Sequence, residues 1–250
     1  MDEEWPIDEL FDEDYLDFFA ERLADETTDE EASTVWNLLG LGEGTEVLDL
    51  ACGHGRIANR LAGMGARVTG LDATPLFLDL GRADANRRGV DVEYVHGDMR
   101  SIPWTERFDA VVSWFTAYGY FDDAQNRAVL GQVHRALRPG GRFLVELIHK
   151  DGILPHWVPA TVTEVDDGIL IDQREFDPLS GRVKARWTIV RNGRVRRSSF
   201  FTRLFSFTEL RDWLHDAGFG TIEGYAGDGT PLTPSAPRMV VIAHKSRTRT

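Results

Sequence analysis

Between Glu46 and Arg56 the chain runs from an apolar stretch, through two glycines spaced two apart, into a helical pattern. Val47 to Leu50 reads as a buried strand. Gly53 and Gly55 follow, and then Ile57, Ala58, Leu61 and Ala62 recur at helical spacing. Glycine lets backbone approach a ligand closely. The helix start beyond it presents unpaired N–H groups. Seventeen residues past Gly55, a second strand, Arg67 to Leu71, ends in Asp72. An acid at that point is placed to accept both hydroxyls of a ribose. The stretch predicts a strand–loop–helix unit that binds an adenosine-type cofactor.

The pattern then alternates. Strands are predicted at 46–50, 67–71, 92–95, 108–114 and 142–148, and helices at 56–64, 75–88, 123–137 and 207–217. Thr74-Pro75 marks one helix start, Ser206 with Glu209 another, and Arg138-Pro-Gly-Gly141 a turn into a strand. Such alternation implies a parallel sheet covered on both faces. Two final strands are expected at 219–225 and 238–244, with a disordered tail from Lys245.

Residues 160–205 break the rule. Here strands follow one another without helices, joined by Asp177-Pro-Leu-Ser-Gly181 and by Asn192-Gly193, a strong hairpin signal. Val183, Ala185, Trp187 and Ile189 alternate with Lys184, Arg186, Thr188 and Val190, as in an antiparallel sheet with one buried face. At the other end, Phe11, Tyr15, Phe18, Phe19 and Leu23 make residues 8–24 an amphipathic helix. A second helix is expected to start at Thr28, with Glu31 completing a capping box.

Charge is uneven. Residues 1–31 hold fifteen Asp and Glu against one Arg, a net of −14, so the rest of the chain sums to +1 against a whole-chain charge of −13. An acidic arm is neither a targeting peptide nor a nucleic-acid footprint. Residues 182–203 hold eight Lys and Arg and no acid, while 164–177 hold six acids and one base. Ion pairs across the turn at 177–181 explain both runs without an RNA partner. No apolar run approaches the ~20 residues that span a bilayer. The single cysteine, Cys52, suits a reducing cytoplasm and reads as small apolar filler. No metal-ligand spacing is present.

A dinucleotide-dependent dehydrogenase would also show glycines like these, with Ala58 in the third position. Three features argue against it: Asp49 inside the first strand, Gly97-Asp98-Met99 after the third, and Leu137-Arg-Pro-Gly-Gly141 before the fifth. Together, VLDLACGHGR, VTGLD, VHGDMR, FDAVVSWFTAYGYF and LRPGGRFLVEL resemble the motifs of class I S-adenosylmethionine-dependent methyltransferases. The resemblance covers residues 10–150 closely and 206–244 in outline. It implies an α/β fold, a Rossmann-like seven-stranded sheet with helices on both faces and the last strand antiparallel. Residues 1–40 would be a helical cap, 41–154 the cofactor-binding core, 155–205 the antiparallel insertion, and 206–250 the last helix and hairpin.

The same resemblance implies the site. Gly53, Gly55, Ala51 and His54 would pass beneath the methionine part of the cofactor, with Asp49 orienting its amino end. Ala51 stands where glycine is common, and His54 where threonine is usual. Asp72 and Ala73 would hold the ribose, Asp98 and Met99 the adenine. Trp114 and Phe115 would line the reacting end, with Tyr15 and Phe19 closing the site from the cap. Methyl transfer asks mainly for alignment. Should a base be needed, His149 and Tyr118, just after the fifth and fourth strands, are the expected candidates. The expected acceptor is a small molecule, with the insertion as substrate region or homodimer seam. An RNA or protein methyltransferase is the alternative, as is a cyclase-type protein that holds the cofactor without methyl transfer.

Overall fold

The computed structural model describes residues 10–247. Helix α1 is Glu13–Phe18, followed by a 3-10 turn, Ala20–Leu23, and α2, Asp25–Leu39. The alternating region gives β1 Glu46–Leu50, α3 Arg56–Gly63, β2 Arg67–Asp72, α4 Pro75–Arg88, β3 Val92–His96, β4 Phe108–Ser113, α5 Asp123–Ala136 and β5 Leu137–Ile148. A short α6, Lys150–Ile153, leads into β6 Ala160–Val165, β7 Gly168–Asp177, β8 Arg182–Arg191 and β9 Arg194–Arg203. Helix α7, Phe207–Asp216, and strands β10 Ile222–Ala226 and β11 Arg238–His244 complete the fold.

Seven strands form one sheet in the order β10-β11-β5-β4-β1-β2-β3. β1 pairs parallel to β2 and β4, and β11 pairs antiparallel to both β5 and β10. Alternate side chains build two cores, as strand geometry requires. Val47, Val112, Leu144 and Val240 pack with Ala32, Val35 and Ile57 of α2 and α3. Leu48, Val111, Phe143 and Val241 pack with Val129, Val133 and Leu210 of α5 and α7. Strand order reverses between β1 and β4, so the ligand crevice lies at the carboxyl ends of these strands.

Strands β6 to β9 form a second, antiparallel sheet in sequence order. Asn192 and Gly193 both take positive φ, 50° and 71°, in the two-residue turn joining β8 to β9. One face buries Leu170, Trp187 and Ile189 against Leu10 and Phe18.

Several expectations need correction. The N-terminal segment is not one helix over 8–24. Residues 8 and 9 lie outside the described residues, and Phe19 breaks the helical path at φ −106°, ψ 8°. The second helix begins at Asp25 and has no side-chain cap. Thr28 and Glu31 sit one turn inside it, on the face toward α3, where both bond Arg56 Nη1. Because α2 buries Ala32, Val35 and Leu39 in the main core, it belongs to the core, and the cap ends near Ala24. Lys245 is tied down, its Nζ donating to His134 O and Leu137 O at 2.8 and 2.7 Å.

The basic strands also pair differently from expectation. Arg191 binds Asp14 and Asp17 at 2.8 and 2.7 Å, and Arg196 binds Asp12 and Asp14 at 2.7 and 2.8 Å. Only Arg191 reaches the acidic run, at Asp167, among the ion pairs of the described residues. The acidic arm takes the charge of Arg191 and Arg196, because α1 lies on the sheet's buried face, while Arg182 pairs with Asp123 and Arg203 with Glu209.

Candidate active site

The turn after β1 is bent by three left-handed residues. Ala51, Gly53 and Gly55 have φ of 57°, 54° and 74°. Ala51 therefore stands where glycine costs least, and an alanine there costs about 1 kcal/mol. Gly53 N–H donates to Asp72 Oδ2 and Thr74 N–H to Asp72 Oδ1, each at 2.8 Å. This clamps the ends of β1 and β2 together. Burial raises the Asp72 carboxyl, against the pull of these N–H groups.

A cavity with about 1010 Å³ of empty space opens over this turn. It is lined from the loop by Asp49, Ala51, Gly53, His54 and Arg56, from β2 onward by Asp72, Ala73 and Phe77, and from the third strand's end by Asp98 and Met99. Trp114, Phe115, Thr116, Ala117, Tyr120 and Phe121 form the far wall, and Phe11, Tyr15 and Leu23 the roof.

Asp49 is buried, and desolvation, aided by Asp72 and opposed by Arg56, lifts its pKa to about 7. Its Oδ2 has no partner, nor has Arg56 Nη2. Arg56 opens α3, where a cation opposes the helix dipole. It is nevertheless almost fully buried, hydrogen-bonded to Thr28 and Glu31 through Nη1, and set over the Phe115 ring at 5.0 Å. His54 is held neutral, burial lowering its pKa to about 4. For Asp98, burial pushes upward, but three hydrogen bonds from Arg100 hold it below the usual range.

The loop after β4 is strained. Phe115 and Thr116 are consecutive non-glycine residues at φ 65° and 58°. Such residues cost of order 1–3 kcal/mol each and persist only when their surroundings over-determine them. Here Glu146 does so, accepting Phe115 N–H at 2.9 Å through Oε2 and Thr116 N–H at 3.2 Å through its backbone carbonyl. Arg238 closes the cluster, pairing with Glu146, donating to Thr116 Oγ1 at 2.8 Å and lying over Phe115 at 5.4 Å.

Four expected site residues lie elsewhere. His149 is buried beyond β5, its Nδ1 bonded to Ala236 O at 2.9 Å, and does not line the cavity. Tyr118 is wholly buried, donating to Asn126 O at 2.9 Å and stacked on Phe205. Tyr118 extends the core because the chain turns away after the strained loop, and His149 because its backbone N–H and ring bond the Pro237 and Ala236 carbonyls before β11. Gly55 faces Tyr94, not the cavity. Phe19 stacks behind Tyr15 at 4.7 Å. Arg56, Phe77 and Thr116 were missed. Arg56 alone carried a signal, as a cation at the start of a helix.

A parallel sheet reversing at β1/β4, with a glycine turn and acids at the next two strand ends, defines a Rossmann-like protein that binds a nucleoside cofactor. The comparisons make this specific. The sequence model of a family described as a methyltransferase domain matches residues 47–141. An uncharacterised methyltransferase of Synechocystis sp. is 34% identical over 151 residues, covering 55% of this chain and 69% of that protein. The demethylmenaquinone methyltransferase of Thermus thermophilus is 37% identical over 102 residues, 40% of this chain and 45% of its own. The chain thus spans about two thirds of the first relative and under half of the second. In fold it resembles the CcbJ methyltransferase of Streptomyces caelestis, with TM-score 0.77, 22% identity, and 93% and 98% of the two chains covered. It also resembles CalS10 of Micromonospora echinaspora, an amino pentose methyltransferase, with TM-score 0.68, 23% identity, and 91% and 95% covered. The chain belongs to the class I S-adenosylmethionine-dependent methyltransferases.

Proposed function

We propose that this protein transfers a methyl group from S-adenosylmethionine to a nitrogen or oxygen of a small molecule. The observation that carries this reading is the pair of unpartnered buried groups at the loop end of the cavity, Asp49 Oδ2 and Arg56 Nη2. One seeks a donor and the other an acceptor, so together they match the ammonium and carboxylate of an amino-acid moiety. When bound, the cofactor supplies an electrophilic methyl on a sulfonium. Asp72 would hold the ribose hydroxyls, since each of its oxygens keeps a lone pair beyond the N–H it accepts. Ala73 would pack beside the ribose, and Asp98 with Met99 would receive the adenine. Ala51, Gly53 and His54 would run beneath the methionine part.

Trp114 to Phe121 would face the acceptor. That wall holds no histidine, lysine or carboxylate. The Tyr120 hydroxyl, pushed up to about 12 by burial, is a poor base. The chain's contribution is therefore alignment in a dry aromatic chamber, which suits an acceptor whose lone pair is already free, as in a neutral amine. The amino pentose enzyme CalS10 and the sugar N-methyltransferase KedS8, whose fold this chain shares, support that direction. A roof over the same cavity suits a small acceptor better than a polymer, and pairing of Arg191 and Arg196 with α1 leaves less basic surface for RNA. A lone free cysteine suits the cytoplasm. Among the described residues, no helix is long and apolar enough to cross a membrane.

Calorimetry with S-adenosylhomocysteine, followed by product analysis with amine-bearing small molecules, tests the proposal. Saturable binding and S-adenosylhomocysteine formed with turnover are expected. Binding without product across amines and alcohols would favour the cyclase-type alternative, and turnover on RNA or protein alone would favour the macromolecular one.

A further inference from the structure

On the face of the insertion that α1 covers, two buried polar atoms have no hydrogen-bond partner and no place in the cofactor cavity. Asp172 on β7 and Trp187 on β8 are direct cross-strand partners, so their side chains share one face of the sheet. They are 5% and 7% exposed. Arg174 Nε holds Asp172 Oδ2 at 2.8 Å, but Oδ1 is unbonded, as is Trp187 Nε1. The face is the one that α1 covers. Trp187 lies against Tyr15, Phe19 and Phe200, with ring centroids 6.3, 5.6 and 4.9 Å away. Asp172 also acts on Tyr120, its charge adding to the rise that burial causes in that hydroxyl's pKa. Tyr15 and Tyr120 both line the cofactor cavity. The two unbonded atoms thus stand behind the aromatic wall at its transfer end.

A buried donor or acceptor left unpaired is costly. Here one of each sits side by side. The carboxylate oxygen seeks a donor and the indole N–H an acceptor, and a hydroxyl is both. We propose that Asp172 and Trp187 anchor a hydroxyl of the methyl acceptor, which reaches them between α1 and the inserted sheet. This rests on the methyltransferase reading above. An ammonium satisfies Asp172 but not Trp187. A carboxylate or phosphate satisfies Trp187 but is repelled by Asp172. The subsite therefore selects neutral or cationic hydroxyl-bearing molecules and rejects acids.

The test uses the full chain labelled with ¹⁵N and mixed with S-adenosylhomocysteine. The Trp187 indole N–H resonance is identified by its loss in Trp187→Phe. D-Glucose, D-glucosamine and D-glucuronate are then titrated separately. Glucose and glucosamine should shift this resonance, glucuronate should shift it several-fold less, and Asp172→Asn should remove the preference. Cofactor-product binding by Asp172→Asn reports that the fold is intact. A resonance unmoved by all three probes means a bound water only and overturns the subsite. So does an equal response to glucuronate, or a preference kept in Asp172→Asn. Failure of S-adenosylhomocysteine to bind would sink the methyltransferase reading separately, and the sugar titrations on the free protein would still decide the subsite.

Discussion

The Asp72 carboxylate accepts the Gly53 N–H at 2.8 Å, joining the end of β2 to the glycine turn that ends β1. One side chain thus shapes the loop and faces the cavity. Asp72→Ala should weaken S-adenosylhomocysteine binding at least tenfold, since each charge-assisted hydrogen bond contributes about 1.5–3 kcal/mol. Titration calorimetry checks this, and unchanged affinity would remove Asp72 from the ribose site.

Asp49 should make binding depend on pH. Its pKa in the free protein is raised to about 7. A cofactor ammonium favours the ionised form, so affinity should rise as pH climbs from 5.5 to 7.5, by up to about tenfold per pH unit below 7. His54, lowered to about 4, does not titrate in this window. Stability runs the other way: between pH 4 and 7 the native carboxyl binds more protons than the unfolded one, so Asp49 makes the fold less stable as pH rises. Asp49→Asn should flatten both trends. Calorimetry in buffers of different ionisation enthalpy should also show proton release on binding at pH 6.

Gly55→Ala should destabilise the fold by about 2–3 kcal/mol or more. A Cβ there would fall 1.8 Å from the Tyr94 hydroxyl, on a backbone at φ 74°. That hydroxyl is itself committed to Asn59 Oδ1 at 2.7 Å. Urea unfolding measures the loss, and shortening Tyr94 to Leu in the same chain should recover only the steric part.

Removing residues 1–24 should leave the main core folded, because α2 begins at Asp25 and carries the helical side of that core. It should strongly impair turnover, since Phe11, Tyr15 and Leu23 roof the cavity. It should also bare Leu170, Trp187 and Ile189 to solvent. Far-UV circular dichroism, dye binding and turnover separate these effects. A truncated chain that fails to fold would show the arm to be core, and one that works normally would show that the roof has no part in catalysis.

Arg191→Gln together with Arg196→Gln should loosen α1 without touching the cavity lining, as these arginines bind Asp12, Asp14 and Asp17. Pairs this open to solvent are screened and contribute little to stability. Stability should therefore change little, while proteolysis near Phe19 becomes faster. A rate matching the parent chain would show that packing alone holds the arm.

Local pattern was enough to read the sheet, its glycine turn and the acids at the strand ends, because these follow from periodicity and backbone conformation within a few residues. The two-residue turn at Asn192-Gly193 and the buried face of Trp187 and Ile189 were legible for the same reason. Side-chain destinations were not. Thr28 and Glu31 have the spacing of a cap, yet a distant arginine claims both. His149 follows the right strand, but the distant Ala236 carbonyl claims its ring. Tyr118 follows the right strand too, but a bend at Phe115 and Thr116 turns it into the core. That bend is held by Glu146 and Arg238, 92 residues apart in sequence. Sequence by itself determined most core strands and helices, the antiparallel insertion and the class of cofactor. Only the tertiary structure decided which charges pair, where the cap ends, and which polar groups are left buried without a partner, because these depend on contacts between segments that no local pattern encodes.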